Sequence, residues 1–175
     1  MNREEIGVKQ FRLPIFEALG GRWMLLTAGT LAQKGHNSMT VSWGGLGVLW
    51  DKPIAVVVVR PTRYTYRFME QAESFTLSAF GPEYRDALML CGTKSGRDMD
   101  KLKAAGLTPI PSSRIPAPGI AQAELILECR KIYSDDVRPE RFLSPDIQGH
   151  YPKKDYHRFY LGEILAIQGT PAYRS

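Results

Sequence analysis

The chain has 175 residues, a formal net charge of +5 and 43% hydrophobic residues, which predicts one globular domain over residues 1–175 with a sizeable core. Its basic residues form no stripe interleaved with aromatic residues, so no nucleic-acid partner is expected. The longest strongly apolar run, residues 54–59, is too short to span a bilayer, and residues 1–11 show no signal-peptide pattern. The three histidines and two cysteines have no metal-ligand spacing. These features predict a cytoplasmic protein with no membrane partner and no metal site.

Strands are predicted where apolar and β-branched residues alternate or run together. The segments with this pattern are residues 22–30, 36–43, 54–60, 74–80, 121–133 and 156–168. The turn-prone pair Lys34 and Gly35 is expected to join the first two strands, and the glycine-rich residues 44–47 are expected to form the next connection. Residues 54–60 are apolar on both faces, which predicts an inner strand.

Helices are predicted to be short and few. The helical segments are residues 62–73 with Thr62 as the N-cap, residues 83–91, and a short helix that Ser95 caps and Gly106 ends. A proline-rich loop is expected over residues 108–119, and the polar residues 134–155 are predicted to be an insertion loop. Many strands beside so few helices exclude a doubly wound α/β fold and favour a closed or half-closed antiparallel barrel.

One predicted strand, residues 37–43 (NSMTVSW), carries polar residues at alternate positions. Alternation places Ser38, Thr40 and Ser42 on one face, and Asn37, Met39, Val41 and Trp43 on the other. Two interpretations are open. The strand is either an edge strand with its hydroxyls in water, or it offers hydroxyl and amide groups to a polar ligand, with Trp43 available for stacking.

The segment 60–65 (RPTRYT) joins the end of a strand to the start of a helix. Free backbone N–H groups at a helix N-terminus attract anions, and guanidinium groups such as those of Arg60 and Arg63 match a phosphate bidentately. The alternative is that Thr62 only caps the helix and that both arginines are solvated. The first interpretation predicts a phosphate site.

The segment 92–101 (GTKSGRDMDK) is rich in glycine and charge. It predicts either a capped surface helix with charge pairs such as Arg97 with Asp100, or a mobile loop that brings a lysine to an anionic ligand. Spacing alone does not choose between them.

His157 lies at the start of the last predicted strand and is either a packed or surface residue or a catalytic group. Glu163 lies in an otherwise apolar part of the same strand. A carboxylate buried there needs a partner, because an unpaired buried charge is costly.

Taken together, and in this order along residues 10–170, these four segments resemble the flavin reductase-like family of FMN-binding split barrels, which includes flavoredoxin. The matching motifs are NSMTVSW, RPTRYT, SGRDMDK and the strand that begins at His157. The resemblance implies a mainly β (α+β) fold, namely an antiparallel split β-barrel of Greek-key type with short peripheral helices. It also implies non-covalent FMN and a homodimer.

The resemblance also implies roles for particular residues. The strand residues at the flavin would be Asn37, Ser38, Met39, Thr40, Ser42 and Trp43; the phosphate turn would be Arg60, Thr62, Arg63, Tyr64 and Thr65; and the glycine loop would supply Lys94, Ser95 and Lys101. His157 would lie near the isoalloxazine ring, with His150 from the insertion as a second candidate catalytic histidine. Tyr173 is a further candidate for a ring against the flavin.

Two redox roles fit such a protein. It would be a reductase that takes hydride from NAD(P)H, or an electron carrier that is reduced by a redox protein partner. The alternative outside catalysis is a barrel that binds FMN or another phosphorylated ligand as a sensor or store.

Overall fold

A computed structural model describes residues 2–32 and 35–175 of the chain. The strands within these residues are β1 (Glu4–Glu5), β2 (Met24–Gly29), β3 (His36–Val41), β4 (Gly44–Leu49), β5 (Lys52–Val59), β6 (Ser74–Ala79), β7 (Pro109–Ile110), β8 (Gly119–Ile120), β9 (Leu125–Asp136) and β10 (Arg158–Gly169). Eight of them form one antiparallel sheet in the order β3-β2-β6-β9-β10-β5-β4, with β1 beside β10. Strands β7 and β8 form a separate pair. The fold is therefore mainly β, as predicted.

Short helices cover this sheet. They are a π-helical turn (Glu17–Arg22), α1 (Tyr64–Gln71), α2 (Arg85–Thr93), α3 (Lys101–Ala104) and 3₁₀ turns at Pro82–Tyr84, Pro139–Arg141, Pro145–His150 and Pro171–Tyr173. Within residues 2–32 and 35–175, no helix is both long enough and apolar enough to cross a membrane.

Strand β2 is buried on both faces, which explains its continuous apolar sequence. Met24 and Leu26 face the main core between the sheet and α1, where Phe75 and Met69 are also completely buried. Leu25 faces the other way, into a second cluster made mainly by α2, α3 and β8. The sheet is thus held from both sides at the strand that pairs with β3.

Strand β5 lies between β10 and β4, which confirms the prediction of an inner strand. The prediction of a connection at residues 44–47 is wrong, because these glycines belong to β4 and pair with β5 in a hairpin. Trp50 and Asp51 form its turn with φ angles of 51° and 57°, the positive pair that a type I′ turn requires. The sequence lacks the Asn-Gly or Asp-Gly signal of such a turn, so the hairpin was not predictable from it.

The first two predicted strands are shorter than expected. Strand β2 starts at Met24, because the residues before it form the π-helical turn, and β3 ends at Val41. In the predicted connection between them, the Thr30 N–H donates to the Gly35 carbonyl (2.9 Å). Lys34 lies outside the described residues.

Two predicted helix caps are wrong. Helix α1 begins at Tyr64 after Arg63, and no side chain caps it, so Thr62 lies in the preceding turn. Helix α3 begins only at Lys101, where the Asp100 side chain accepts a hydrogen bond from the Lys103 N–H (3.1 Å). The Ser95 hydroxyl instead accepts the Arg97 N–H (3.2 Å), which closes a turn before the helix.

The predicted end of α3 is confirmed. Gly106 adopts a φ of 66°, which favours glycine. Its N–H and that of Leu107 donate to the carbonyls of Lys103 (3.2 Å) and Leu102 (2.8 Å), which is the Schellman arrangement.

Glu163 was expected to need a partner, and it has two cationic ones. Lys52 (2.8 Å) and Arg130 (2.7 Å) both form ion pairs with its carboxylate. The hydrogen bond from Lys52, followed by that from Arg130, lowers the pKa of Glu163. Neighbouring β5 and β9 therefore neutralise the one acidic side chain of β10.

Strands β9 and β10 pair as a long antiparallel hairpin. His157 lies at the end of this hairpin where the connecting residues leave the sheet. Strand β9 continues to Asp136, and the Val137 N–H donates to the His157 carbonyl (2.8 Å). The excursion from the sheet is therefore residues 137–157, which start three positions later than the predicted insertion. This excursion is called the 137–157 segment below.

We predict that Gly162→Ala lowers the free energy of unfolding by about 1–3 kcal/mol, the usual cost of overpacking a core. A Cβ atom at Gly162 would lie 2.6 Å from Phe75 Cζ and 2.8 Å from Cys129 Cβ, where β10 approaches the core at a register shift. Gly149→Ala is the matched control, since its Cβ would meet nothing within 4 Å. Urea denaturation of both variants measures the difference. Equal unfolding midpoints would contradict the close approach.

Candidate functional site

Three adjoining cavities follow strand β3 along one side of the molecule. The histidine cavity (about 220 Å³) is lined by Met39, Thr40, Val41, Ser42, Trp43, Val58, Arg60, Arg63 and His157. The cationic cavity (about 110 Å³) is lined by Met39, Thr62, Arg63, Tyr64, Thr65, Thr93, Lys94, Ser95, Arg97 and Lys101. The outer cavity (about 360 Å³) includes Asn37, Ser38, Tyr64, Arg97 and Lys101. Shared lining residues join the three into one groove.

The groove brings together the residues that the four sequence motifs singled out. All of the candidate cofactor-binding residues and His157 line one or more of its cavities. His150 is not among the lining residues, but its ring packs edge-on against Trp43 with centroids 5.3 Å apart. Segments distant in sequence therefore meet at β3.

The charged side chains that line the cationic cavity are all positive. Its lining contains four cations (Arg63, Lys94, Arg97 and Lys101) and four serine or threonine hydroxyls (Thr62, Thr65, Thr93 and Ser95), but no carboxylate. Two of its lining residues, Tyr64 and Thr65, form the N-terminus of α1, which no side chain caps. Uncapped N–H groups and the helix dipole both favour negative charge. The cavity is thus suited to an anion with several acceptor oxygens, such as a phosphate.

Three of these cations are held by neutral groups. Arg63 donates to the Gly92 carbonyl (2.7 Å), and buried Lys101 donates to the Cys91 carbonyl (2.8 Å). Arg97 lies over the Tyr64 ring, 5.1 Å from its centroid. Burial, followed by the nearby Arg63 charge, lowers the pKa of Lys101, whereas proximity to Cys91 raises it. Carbonyls and rings offset the charges only in part, so the cavity keeps its attraction for anions.

Arg60 differs from these cations because it already has an acidic partner. Its guanidinium pairs with Asp155 (2.7 Å), donates to the His150 carbonyl (2.8 Å) and lies over the Tyr151 ring at 4.9 Å. The structure therefore places Arg60 in the histidine cavity as a clamp on the 137–157 segment, apart from the cationic cavity.

The hydroxyls of β3 bond within the protein. Ser38 Oγ lies 2.8 Å from Thr27 Oγ1, and Thr40 Oγ1 donates to the Leu88 carbonyl of α2. Asn37 donates to Thr65 Oγ1 (2.7 Å) at the start of α1. Ser38 and Thr40 thus fasten β3 to its neighbours. Both also line the groove, and the interpretation of a strand that offers its hydroxyls to a ligand stays a prediction.

His157 is only 8% exposed and sits where the histidine cavity meets the 137–157 segment. Its Nδ1 lies 2.9 Å from the Tyr151 hydroxyl, and its ring centroid is 5.3 Å from that of Trp43. Burial, followed by the positive charge of Arg60, lowers the pKa of His157 to about 4. The imidazole is therefore neutral at pH 7. Exposed His150 packs on the same indole, so both candidate histidines meet at Trp43.

Sequence reasoning missed Arg97 and Tyr151 as site residues. One of the two interpretations of the glycine loop made Arg97 a surface partner of Asp100, but Asp100 caps α3 and Arg97 faces two cavities. Its place inside the SGRDMDK motif was the available signal. Tyr151 had no local signal, because its contacts are with residues far away in the chain or across the 137–157 segment.

The prediction for Tyr173 is wrong. It is 5% exposed, belongs to the main core and donates its hydroxyl hydrogen to Glu124 Oε2 (3.1 Å). The 3₁₀ turn before the C-terminus folds it inward, and it lines a small cavity with Trp23 and Phe80. It takes no part in the groove.

Fold and groove together define a half-open antiparallel barrel with a groove beside the edge strand β3, and four cations line one part of that groove. Residues 17–170 match the flavin reductase like domain, and the chain belongs to that family. The predicted fold class, a split barrel, is thereby confirmed.

Three individual proteins show how similar this chain is to known sequences and structures. An uncharacterized protein of Pyrococcus abyssi is 29% identical over 78% of this chain and 70% of its own length. Flavoredoxin of Desulfovibrio vulgaris (Miyazaki F) superposes with a TM-score of 0.66 at 22% identity, over 86% of this chain and 70% of that one. An FMN-binding domain of a flavin reductases-like enzyme from Shewanella baltica gives a TM-score of 0.68 at 19% identity, over 96% and 77%. At these identities the two structures show the fold alone.

Proposed function

We propose that this chain is a redox protein that binds FMN non-covalently in the groove along β3. The observation that carries the proposal is the cationic cavity, whose lining has four cations and no carboxylate. It shares Met39 and Arg63 with the histidine cavity, where Trp43 supplies an aromatic wall. A ligand with a phosphate at one end and a planar ring at the other fits this pair of cavities. FMN has that composition.

Each wall of the groove has its own task in this proposal. The phosphate would be held by Arg63, Lys94, Arg97 and Lys101, by the hydroxyls of Thr62, Thr65 and Ser95, and by the N-terminus of α1. Trp43 and His157 would contact the ring, with Ser42 beside them. The 137–157 segment, clamped by Arg60 and Asp155, would exclude water from one side of the ring.

The bound FMN would supply the hydride or electron chemistry, and the chain would supply binding, orientation and electrostatics. His157 is neutral at pH 7, since burial lowers its pKa to about 4. Hydride transfer requires close stacking more than a protein base. An NAD(P)H-dependent reductase is therefore our first candidate, and an electron carrier served by another protein is the second. A non-catalytic FMN sensor or store is the third.

We further propose a cytoplasmic homodimer. Both cysteines are free and buried, which fits a reducing compartment. The outer edge of β4 ends the sheet, and the hairpin exposes 76% of Val48 and 58% of Trp50. An unprotected edge with large apolar side chains favours pairing with a second copy.

We predict that the purified protein releases FMN on denaturation and that Arg63→Ala weakens FMN binding by about 1.5–3 kcal/mol, the range for hydrogen bonds to charged groups. Riboflavin, which lacks the phosphate, should lose much less affinity. Fluorescence titration of the apoprotein measures both ligands. Arg67→Ala is the matched control, because Arg67 stacks on Tyr64 and Phe68 outside the cavity lining.

Equal losses for FMN and riboflavin would show that Arg63 does not bind the phosphate. If neither the purified nor the reconstituted protein holds FMN, the proposed function is wrong.

We predict that NADH or NADPH bleaches the bound flavin under anaerobic conditions, because hydride transfer requires close stacking more than a protein base. Stopped-flow absorbance measures the rate, with dithionite as the control for a reducible flavin. Reduction by dithionite but by neither nucleotide would favour the electron carrier.

We predict that light scattering gives the mass of a dimer and that Val48→Glu shifts it toward the monomer. The charge would desolvate unfavourably against an apolar partner surface. Val8→Glu, the same substitution at an exposed valine outside the β4–β5 hairpin, is the control. A monomeric wild type with tightly bound FMN would refute the dimer.

A further inference from the structure

Tyr151 is the residue of the 137–157 segment that is buried most deeply against the groove. It is 5% exposed and packs against Phe142, Tyr156 and the Arg60 guanidinium. Its hydroxyl has one hydrogen-bond partner among the described residues, His157 Nδ1 at 2.9 Å. Burial raises the pKa of Tyr151, so the hydroxyl keeps its hydrogen at neutral pH.

This contact restricts the position of the imidazole proton. A neutral histidine carries one N–H, on either Nδ1 or Nε2. With the proton on Nδ1, the ring would donate to Tyr151, and the buried phenol hydrogen would have no acceptor. With the proton on Nε2, the phenol donates to Nδ1 and both groups are satisfied, which is the rule for buried polar groups.

The other ring nitrogen opens to the groove. His157 Nε2 has no hydrogen-bond partner among the described residues, yet it is not among their buried unsatisfied atoms. The ring itself lines the histidine cavity. Nε2 therefore faces accessible space in that cavity, where a ligand can reach it.

We propose that Tyr151 is a positioning residue that fixes His157 as the neutral Nε2–H tautomer and thereby presents a hydrogen-bond donor to the histidine cavity. The groups that face the imidazole favour its neutral form. Arg60 and Arg63 repel a second positive charge, and Asp155, which would attract one, is paired with Arg60.

The consequence for ligands rests on the proposed function, whereas the tautomer does not. A donor at this place selects ligands with an acceptor atom at the ring edge, such as a carbonyl or an unprotonated ring nitrogen. An isoalloxazine carries both kinds of acceptor. His157 would thus orient the ring through a hydrogen bond. Its neutral imidazole would not release the Nε2 proton at neutral pH.

The decisive experiment is NMR of the protein labelled with ¹⁵N-histidine, because the two tautomers have distinct ring-nitrogen shifts. The chain has three histidines, and loss of one signal set in His157→Gln assigns His157. We expect the Nε2–H tautomer in the wild type, with titration only near pH 4. An Nδ1–H tautomer or an imidazolium at pH 7 would overturn the proposal.

Two tyrosine variants test whether the Tyr151 hydroxyl fixes the tautomer of His157. Tyr151→Phe keeps the ring over Arg60 but removes the donor, so we expect a mixture of tautomers. Tyr156→Phe is the matched control, since its hydroxyl contacts Gln148 in the same aromatic cluster. It should leave His157 unchanged. Unchanged tautomers in Tyr151→Phe, or an equal effect of both variants, would overturn the role of Tyr151.

Ligand binding tests whether His157 donates a hydrogen bond to the ligand. We expect His157→Ala to weaken riboflavin and FMN alike, by about three- to tenfold, which is the worth of one hydrogen bond. His157→Gln, whose amide can still donate, should restore most of the affinity. Full affinity in His157→Ala would overturn the donor role. Absence of FMN binding in the wild type would overturn the proposed function instead, and the NMR result would stand independently.

Discussion

Four positive side chains share one small cavity, and the fold has to hold them there against their mutual repulsion. It does so with backbone carbonyls and an aromatic ring, which attract a cation without cancelling its charge. The net positive charge that remains is what an anionic ligand would neutralise. Because such a ligand binds the folded state, its binding also adds to the stability of the fold.

The fold holds the two walls of the groove in different ways. Strand β3 is fixed, since Thr27, Thr65 and the Leu88 carbonyl hold its side chains from β2, α1 and α2. The opposite wall consists of the glycine loop and the 137–157 segment, which the side chains of Arg60 and Tyr151 join to the site. A strand that is fastened to three other elements can orient a planar ligand.

The fold was largely predictable because its strands differ in local pattern. The apolar run of β5 and the amphipathic α1 follow directly from periodicity. The β4–β5 hairpin was missed because Trp50 and Asp51 adopt positive φ without the usual glycine. The caps at Thr62 and Ser95 were mistaken because a hydroxyl before a helix can equally close a turn.

The sequence predicted which residues line the candidate site. It predicted few of the contacts that these residues make. Four motifs supplied nearly all the lining of the groove. The pairing of Arg60 with Asp155 joins residues 95 positions apart, and no spacing rule reaches that far. This pairing separates Arg60 from Arg63, which the RPTRYT motif alone presented as equivalent.

The burial of both thiols bears on how the chain would withstand its own chemistry. Cys91 and Cys129 are fully enclosed, and burial raises the pKa of each, so the reactive thiolate is scarce. A reduced flavin that passes two electrons to dioxygen generates hydrogen peroxide, which attacks accessible, ionised cysteines first. Under the proposed function, the protonated thiols buried in the core would be protected from oxidation by this peroxide.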